Sequence, residues 1–189
     1  MSWNPEQYLK FAAPRFRPAV DLLNRVAVAR PATVFDLGCG TGNVTRLLQE
    51  RWPEADIAGV DDSAEMLAQA TKDLPGLQWV RESLATWQPP WPAEVIYSNA
   101  ALQWLPDHEQ LLPRLVTCLA PGGVLAVQMP RNFNAPSHTL ITETMLSQRW
   151  RAKFAHFQMR NPVAKPAWYY GLLAPLAKSL DIWETEYTQ

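Results

Sequence analysis

Short runs of apolar and β-branched residues alternate along this 189-residue chain with stretches in which apolar residues recur every three or four positions. The runs predict strands near 33–37, 56–60, 77–81, 94–98 and 122–129. Between them, VTRLLQERW (44–52), AEMLAQATKDL (64–74) and EQLLPRLVTCL (109–119) carry helical spacing. Pro113 is expected in the first turn of the last of these, or as a kink in it. Glycine and proline clusters fall between the elements, and PPWP (89–92) is the densest stop. Such alternation predicts an α/β fold of βαβ units, with a mostly parallel central sheet and helices on both faces. No internal repeat or low-complexity tract interrupts it.

The first strand runs straight into glycines, as TVFDLGCGTG (33–42). Glycines let a backbone pass close to a ligand and take dihedrals that a Cβ forbids. A dinucleotide fingerprint G-x-G-x-x-G would need its third glycine where Asn43 stands. Here the glycines, Gly38, Gly40 and Gly42, are two apart, behind an acid at Asp36. This spacing resembles motif I of the class I S-adenosylmethionine-dependent methyltransferases, though a glycine-rich decapeptide alone also fits an ordinary tight turn. A second marker is Asp61, 19 residues beyond Gly42, where the second strand should end. A carboxylate there can accept both hydroxyls of a ribose, in an NAD enzyme as well as a methyltransferase. Asp62 and Ser63 precede an apolar-periodic stretch and read as helix-capping residues.

Composition narrows the class. A chain of this length with 48% hydrophobic residues makes one domain that fills its own core. A formal charge of −1 gives no nucleic-acid footprint and no basic membrane-binding surface. Cys39 and Cys118 fit no zinc spacing and read as reduced thiols, so no metal is expected. The N-terminal MSWNPEQYLKF has the character of neither a signal peptide nor a membrane anchor, and the expected address is cytoplasmic.

Four further stretches carry a more specific resemblance: WNPEQYLKFAAPRFRPAVDLL (3–23), VIYSNAALQWLPDH (95–108), LAPGGVLAVQMP (119–130) and DIWETEY (181–187). Together they resemble the trans-aconitate methyltransferase family over nearly the whole chain. That resemblance implies a Rossmann-like single domain: an N-terminal helical lid (1–30), a cofactor-binding core (31–130), and C-terminal helices with a sixth strand at 181–187. Family members continue to a final strand, antiparallel between the fifth and sixth. The sequence stops at Gln189, so the sheet is expected to lack it and the protein to be a monomer or homodimer.

The implied activity is monomethyl esterification of trans-aconitate, a small tricarboxylate, with S-adenosylmethionine as donor and S-adenosylhomocysteine as product. The implied cofactor residues are Asp36, Gly38, Cys39, Gly40 and Gly42 at the loop, Asp61, Asp62 and Met66 around the ribose, and Asn99 with Ala100 near the methionine end. One match fails. Where the family places an aspartate on the adenine amino group, this chain has Ser83, so adenine is expected to rest on the Leu84 backbone amide and apolar contact.

A substrate carboxylate is already an anion at neutral pH, so attack on a sulfonium methyl needs no general base. Alignment is the task, and no catalytic side chain is expected. A tricarboxylate does need cations, for which Arg15, Arg17 and Arg131 are candidates. Trp104, Tyr169 and Tyr170 stand at aromatic positions of the family, and Trp104 and Tyr170 suit pocket wall and core equally. Trp52, Trp79 and Trp87 read as core or helix-packing residues, and the histidines His108, His138 and His156 as surface or capping residues. Two alternatives stay open: a methyltransferase for another small or carrier-bound carboxylic acid, and a non-catalytic protein that binds S-adenosylmethionine.

Overall fold

A computed structural model describes residues 12–156 and 163–187. Five strands, β1 (Thr33–Leu37), β2 (Asp56–Asp61), β3 (Gln78–Arg81), β4 (Ala93–Asn99) and β5 (Leu119–Gln128), form one sheet in the order β3-β2-β1-β4-β5. Every pairing is parallel. The helices described are α1 (Ala12–Arg25), α2 (Asn43–Arg51), α3 (Ala64–Asp73), α4 (His108–Thr117), α5 (Pro136–Leu146) and α6 (Pro166–Leu173), with a 3₁₀ turn at Leu102–Trp104.

Central strands of a parallel sheet are covered on both faces and therefore read as unbroken apolar runs. In β1, Phe35 and Leu37 join one core cluster with Trp87, Ile96 and, from α4, Leu111 and Leu115. Val34, one residue out of phase, joins the other with Val95 and Tyr97, closed by Leu22 and Leu23 of α1 and by Leu48 of α2. Helices thus cover both faces, as the alternation predicts. The Tyr97 hydroxyl donates to the Ala19 carbonyl at 2.6 Å and ties α1 to β4. α1, the part of the expected lid that is described, is therefore a layer of the fold. Residues 1–11 of that lid lie outside the described residues.

The start of one strand differs from expectation. β5 begins at Leu119, before PGG, because Leu119 pairs with Ala93 ahead of a register irregularity between Ala93 and Val95. Gly123 fits there because a Cβ would stand 2.7 Å from the Ala93 carbonyl oxygen. Pro113 is the sixth residue of α4, past the first turn, and gives up one i→i−4 bond without ending the helix.

The expected sixth strand is absent among the described residues. Residues 181–187 enter no ladder. They run antiparallel along α1 instead, held by side chains. Asp181 pairs with Arg25 at 2.9 Å, the Arg25 guanidinium lies 4.1 Å from the Trp183 ring centroid, and the Tyr187 hydroxyl donates to Asp21 at 2.6 Å. Ile182 packs toward the α4-side core and Trp183 toward the other. The alternation of a strand is present, but backbone partners are what make one. No helix among the described residues is long and apolar enough to cross a membrane.

Candidate functional site

The sheet order reverses between β1 and β4, and open α/β sheets bind ligands at the carboxyl ends of the strands beside such a reversal. The loop after β1 lies there, anchored where the Gly38 and Cys39 amides both donate to the Val60 carbonyl, at 2.8 and 3.2 Å. Its three glycines have different reasons. A Cβ on Gly38 would lie 2.1 Å from Ala101 Cβ, and one on Gly42 would lie 2.6 Å from the Trp79 ring. At Gly40 it would meet nothing within 4 Å. Two of the glycines are small because the protein fills the space above them. Gly40, with φ +56°, borders open space.

Asp61 closes the next corner. Its Oδ2 accepts the Gly40 amide and its Oδ1 the Ser63 amide, both at 2.9 Å. A carboxylate has roughly four acceptor positions, so about two remain. Ser63 caps α3 by accepting the Met66 amide at 3.3 Å, which leaves Met66 half-buried beside the turn. Asp62 is exposed, and its carbonyl accepts from Arg81.

Asp36 is withdrawn from this crevice. It is 1% exposed and points from β1 toward α2, where the Thr45 hydroxyl donates to it at 2.6 Å. Burial raises its pKa to about 7, opposed by the Thr45 hydrogen bond and reinforced by the Asp61 charge. The Cys39 thiol is also buried, and burial followed by the Asp36 and Asp61 charges pushes its pKa far up. These two expected cofactor residues therefore sit behind the loop.

Two further walls come from β3 and β4. After β3, Leu84 packs against the loop, its Cδ1 3.5 Å from where a Gly38 Cβ would be, while the Ser83 side chain is exposed. After β4 come Asn99 and Ala100, the latter at φ +53° with its amide donating to Gln128. Asn99 Oδ1 and Gln103 Oε1 are buried with no donor, although Gln103 Nε2 donates to the Ala100 carbonyl at 2.7 Å.

The expected acceptor-side residues are less uniform. The Arg15 side chain lies outside what is described. Arg17, toward the start of α1, lies 5.1 Å from the Tyr187 ring centroid. Arg131, just past β5, pairs with Glu184. Trp104 and Tyr170 are open to solvent, 80% and 58% exposed. Tyr169 is a core residue. It is 8% exposed, and its hydroxyl meets His108 Nδ1 at 2.7 Å and the Ala164 amide at 3.2 Å.

His108, expected at the surface or as a cap, is likewise buried. Its Nε2 lies 2.9 Å from the Leu102 carbonyl, which can only accept, so Nε2 carries the proton and Nδ1 accepts from Tyr169. Sequence position does not reveal this, because the partner lies 61 residues away. Trp52 and Trp87 are core as expected, and Trp79 packs half-buried over Gly42 and Gly59.

A methyltransferase-domain family model matches residues 11–171. A trans-aconitate 2-methyltransferase of Azoarcus sp. (strain BH72) is 52% identical over 188 residues, 100% of this chain and 74% of that protein. Another, of Rhodopseudomonas palustris (strain HaA2), is 48% identical over 98% of this chain and 73% of its own length. The chain belongs to the trans-aconitate 2-methyltransferase family. Among solved structures, CalS10 with bound S-adenosylmethionine, an amino pentose methyltransferase from Micromonospora echinaspora, is similar with a TM-score of 0.55. It is 25% identical, over 66% of this chain and 56% of that one.

In this methyltransferase the crevice fits an adenosyl cofactor on three observations: open space at Gly40, spare acceptor positions on Asp61, and an unpartnered buried oxygen on Asn99. Family motifs leave Arg114 unmarked. Its guanidinium donates to three carbonyls, of Leu84 at 2.9 Å, Ala85 at 3.0 Å and Trp87, in the turn that follows β3. Among the described residues no group of three His, Cys, Asp or Glu side chains could hold a metal ion.

Proposed function

We propose that this enzyme forms the monomethyl ester of trans-aconitate by in-line transfer of a methyl group from S-adenosylmethionine to a substrate carboxylate. The observation that carries the cofactor half is the open space over Gly40 beside the Asp61 carboxylate, at the reversal point of the sheet. The acceptor half rests on relatives named for trans-aconitate that match about half of the residues along the whole chain.

When bound, the cofactor supplies a methyl group activated on a sulfonium. Every other task falls to the protein. Asp61, already steadied by two amides, takes the ribose hydroxyls on its remaining lone pairs. Leu84 offers apolar surface and a backbone amide to adenine, while Asn99 and Ala100 bound the methionine end. Asp36, Cys39 and Gly42 act from behind, shaping the loop. The acceptor carboxylate needs no proton removed, so holding it in line with the methyl group is the catalytic contribution, and such alignment is worth up to roughly 7–11 kcal/mol.

Arg17 and Arg131 supply positive charge, and Trp104 and Tyr170 supply exposed aromatic surface. Tyr169 contributes only by supporting α6. Because Arg131 is shared with Glu184 and Arg17 with Tyr187, a second reading keeps the same chemistry with another small carboxylic acid as acceptor.

Titration with S-adenosylhomocysteine tests the cofactor half. We expect one saturable site, weakened about ten- to a hundredfold by Asp61→Ala, since a hydrogen bond to a charged group is worth roughly 1.5–3 kcal/mol. Unchanged affinity in that variant would remove Asp61 from the site. Side-by-side turnover of trans-aconitate, citrate and a simple monocarboxylate then separates the two acceptor readings.

A further inference from the structure

Arg114 is a cation without a carboxylate. Both salt bridges among the described residues involve other arginines, and its donors go instead to the carbonyls of Leu84, Ala85 and Trp87. It reaches them from α4, across about 30 residues of sequence, onto the turn that carries Ser83 where the family has an aspartate. A planar guanidinium with several fixed donors suits this work, because one rigid group holds several oxygens at set positions.

The turn's peptide planes follow from what holds their carbonyls. The Ser83 carbonyl accepts the Thr86 and Trp87 amides, at 3.1 and 2.9 Å. Arg114 takes the next two carbonyls. In a trans peptide the C=O and N–H point in opposite directions, so fixing a carbonyl fixes the amide that follows it. The Leu84 amide thus points away from the Thr86 and Trp87 amides, and the Ala85 amide away from Arg114. Neither amide has a protein partner among the described residues. Both lie at the carboxyl end of β3, where the Leu84 side chain already touches the glycine loop.

We propose that Arg114 is a positioning residue for the nucleobase: it holds the 83–87 turn in the shape that presents the Leu84 and Ala85 amides to adenine N1. This rests on the cofactor reading above. Arg114 touches no part of the cofactor and acts through the backbone. Its charge also polarises the peptides it holds, which makes their N–H groups better donors.

The test compares S-adenosylhomocysteine with its 1-deaza analogue, in which adenine N1 is replaced by C–H, by calorimetric titration. The unaltered enzyme should prefer the parent ligand about tenfold, as one lost hydrogen bond requires. Arg114→Met should weaken the parent ligand by a similar factor and change the analogue by less than about twofold, so that the preference disappears. Arg114→Lys keeps the charge but not the fork and should fall between, and it carries the test if the Met variant does not fold. Equal weakening of both ligands would make Arg114 a general prop and overturn the assignment. So would an unaltered enzyme that binds both ligands alike, and that result would leave the cofactor site standing. Binding of neither ligand by the unaltered enzyme would instead remove the cofactor reading itself.

Discussion

A carboxylate buried at 1% exposure, as Asp36 is, couples the stability of the protein to pH. Its folded pKa of about 7 lies above the ordinary value of 3.8. Between those values the native state holds a proton that the unfolded chain has lost, so the contribution of this group to stability is fully present below about pH 3.8, is lost as pH rises to about 7, and levels off above that. Asp36→Asn keeps an acceptor for Thr45 and removes the ionisation. The native enzyme should lose on the order of 3–4 kcal/mol between pH 4 and 8 from this group, and the variant should lose that much less. Urea unfolding across the range checks it, and parallel pH curves for the two proteins would refute the linkage. The glycines make a second contrast. Gly38→Ala meets Ala101 and should cost several kcal/mol of stability, whereas Gly40→Ala should cost about 1 kcal/mol, from its dihedral alone, and fall mainly on ligand affinity. Melting curves paired with S-adenosylhomocysteine titrations separate the two effects. The spacing of these residues was legible in the sequence. Which glycine borders open space was not, because that depends on Trp79 and Ala101, both brought in by the fold.

At the level of elements, the strands of the sheet core were legible within one or two residues, because burial on both faces leaves an unbroken apolar signature. Legibility ended where an element depends on what stands beside it. DIWETEY alternates like a strand, yet alternation belongs to side chains and a ladder belongs to two backbones. LAPGGV reads as a turn followed by a strand, yet pairing with Ala93 draws its first residues into β5. The α4–α6 contact was invisible for the same reason, since it rests on His108 meeting Tyr169. That pair closes a chain from the Ala164 amide through the Tyr169 hydroxyl and the imidazole to the Leu102 carbonyl, with each polar atom satisfied. Tyr169→Phe should therefore destabilise by about 1–3 kcal/mol, because a buried ring nitrogen and an amide lose their partner. The neighbouring Tyr170→Phe should be neutral, and equal denaturation midpoints for the two variants would contradict this account.

On the scale of the whole molecule, the site lies at the carboxyl ends of the parallel strands, whereas the 181–187 segment lies along α1 and enters no ladder. The crevice is built by the loops after β1 to β4. Among the described residues, the segment meets the proposed acceptor side where Glu184 pairs with Arg131 just past β5 and Tyr187 lies against Arg17. Trp183→Ala should accordingly lower global stability by about 1–2 kcal/mol while leaving S-adenosylhomocysteine affinity within about twofold. A larger loss of affinity than of stability would tie the segment to the site. The bond between Asp21 and Tyr187 spans 166 residues of sequence, so its closure entropy is among the largest in the molecule. A contact of that span is expected to form after the sheet has nucleated, because its closure entropy falls once the sheet has shortened the loop between its ends. It should act as a latch in time rather than a seed: weakening it would hasten unfolding and leave the rate of folding almost untouched.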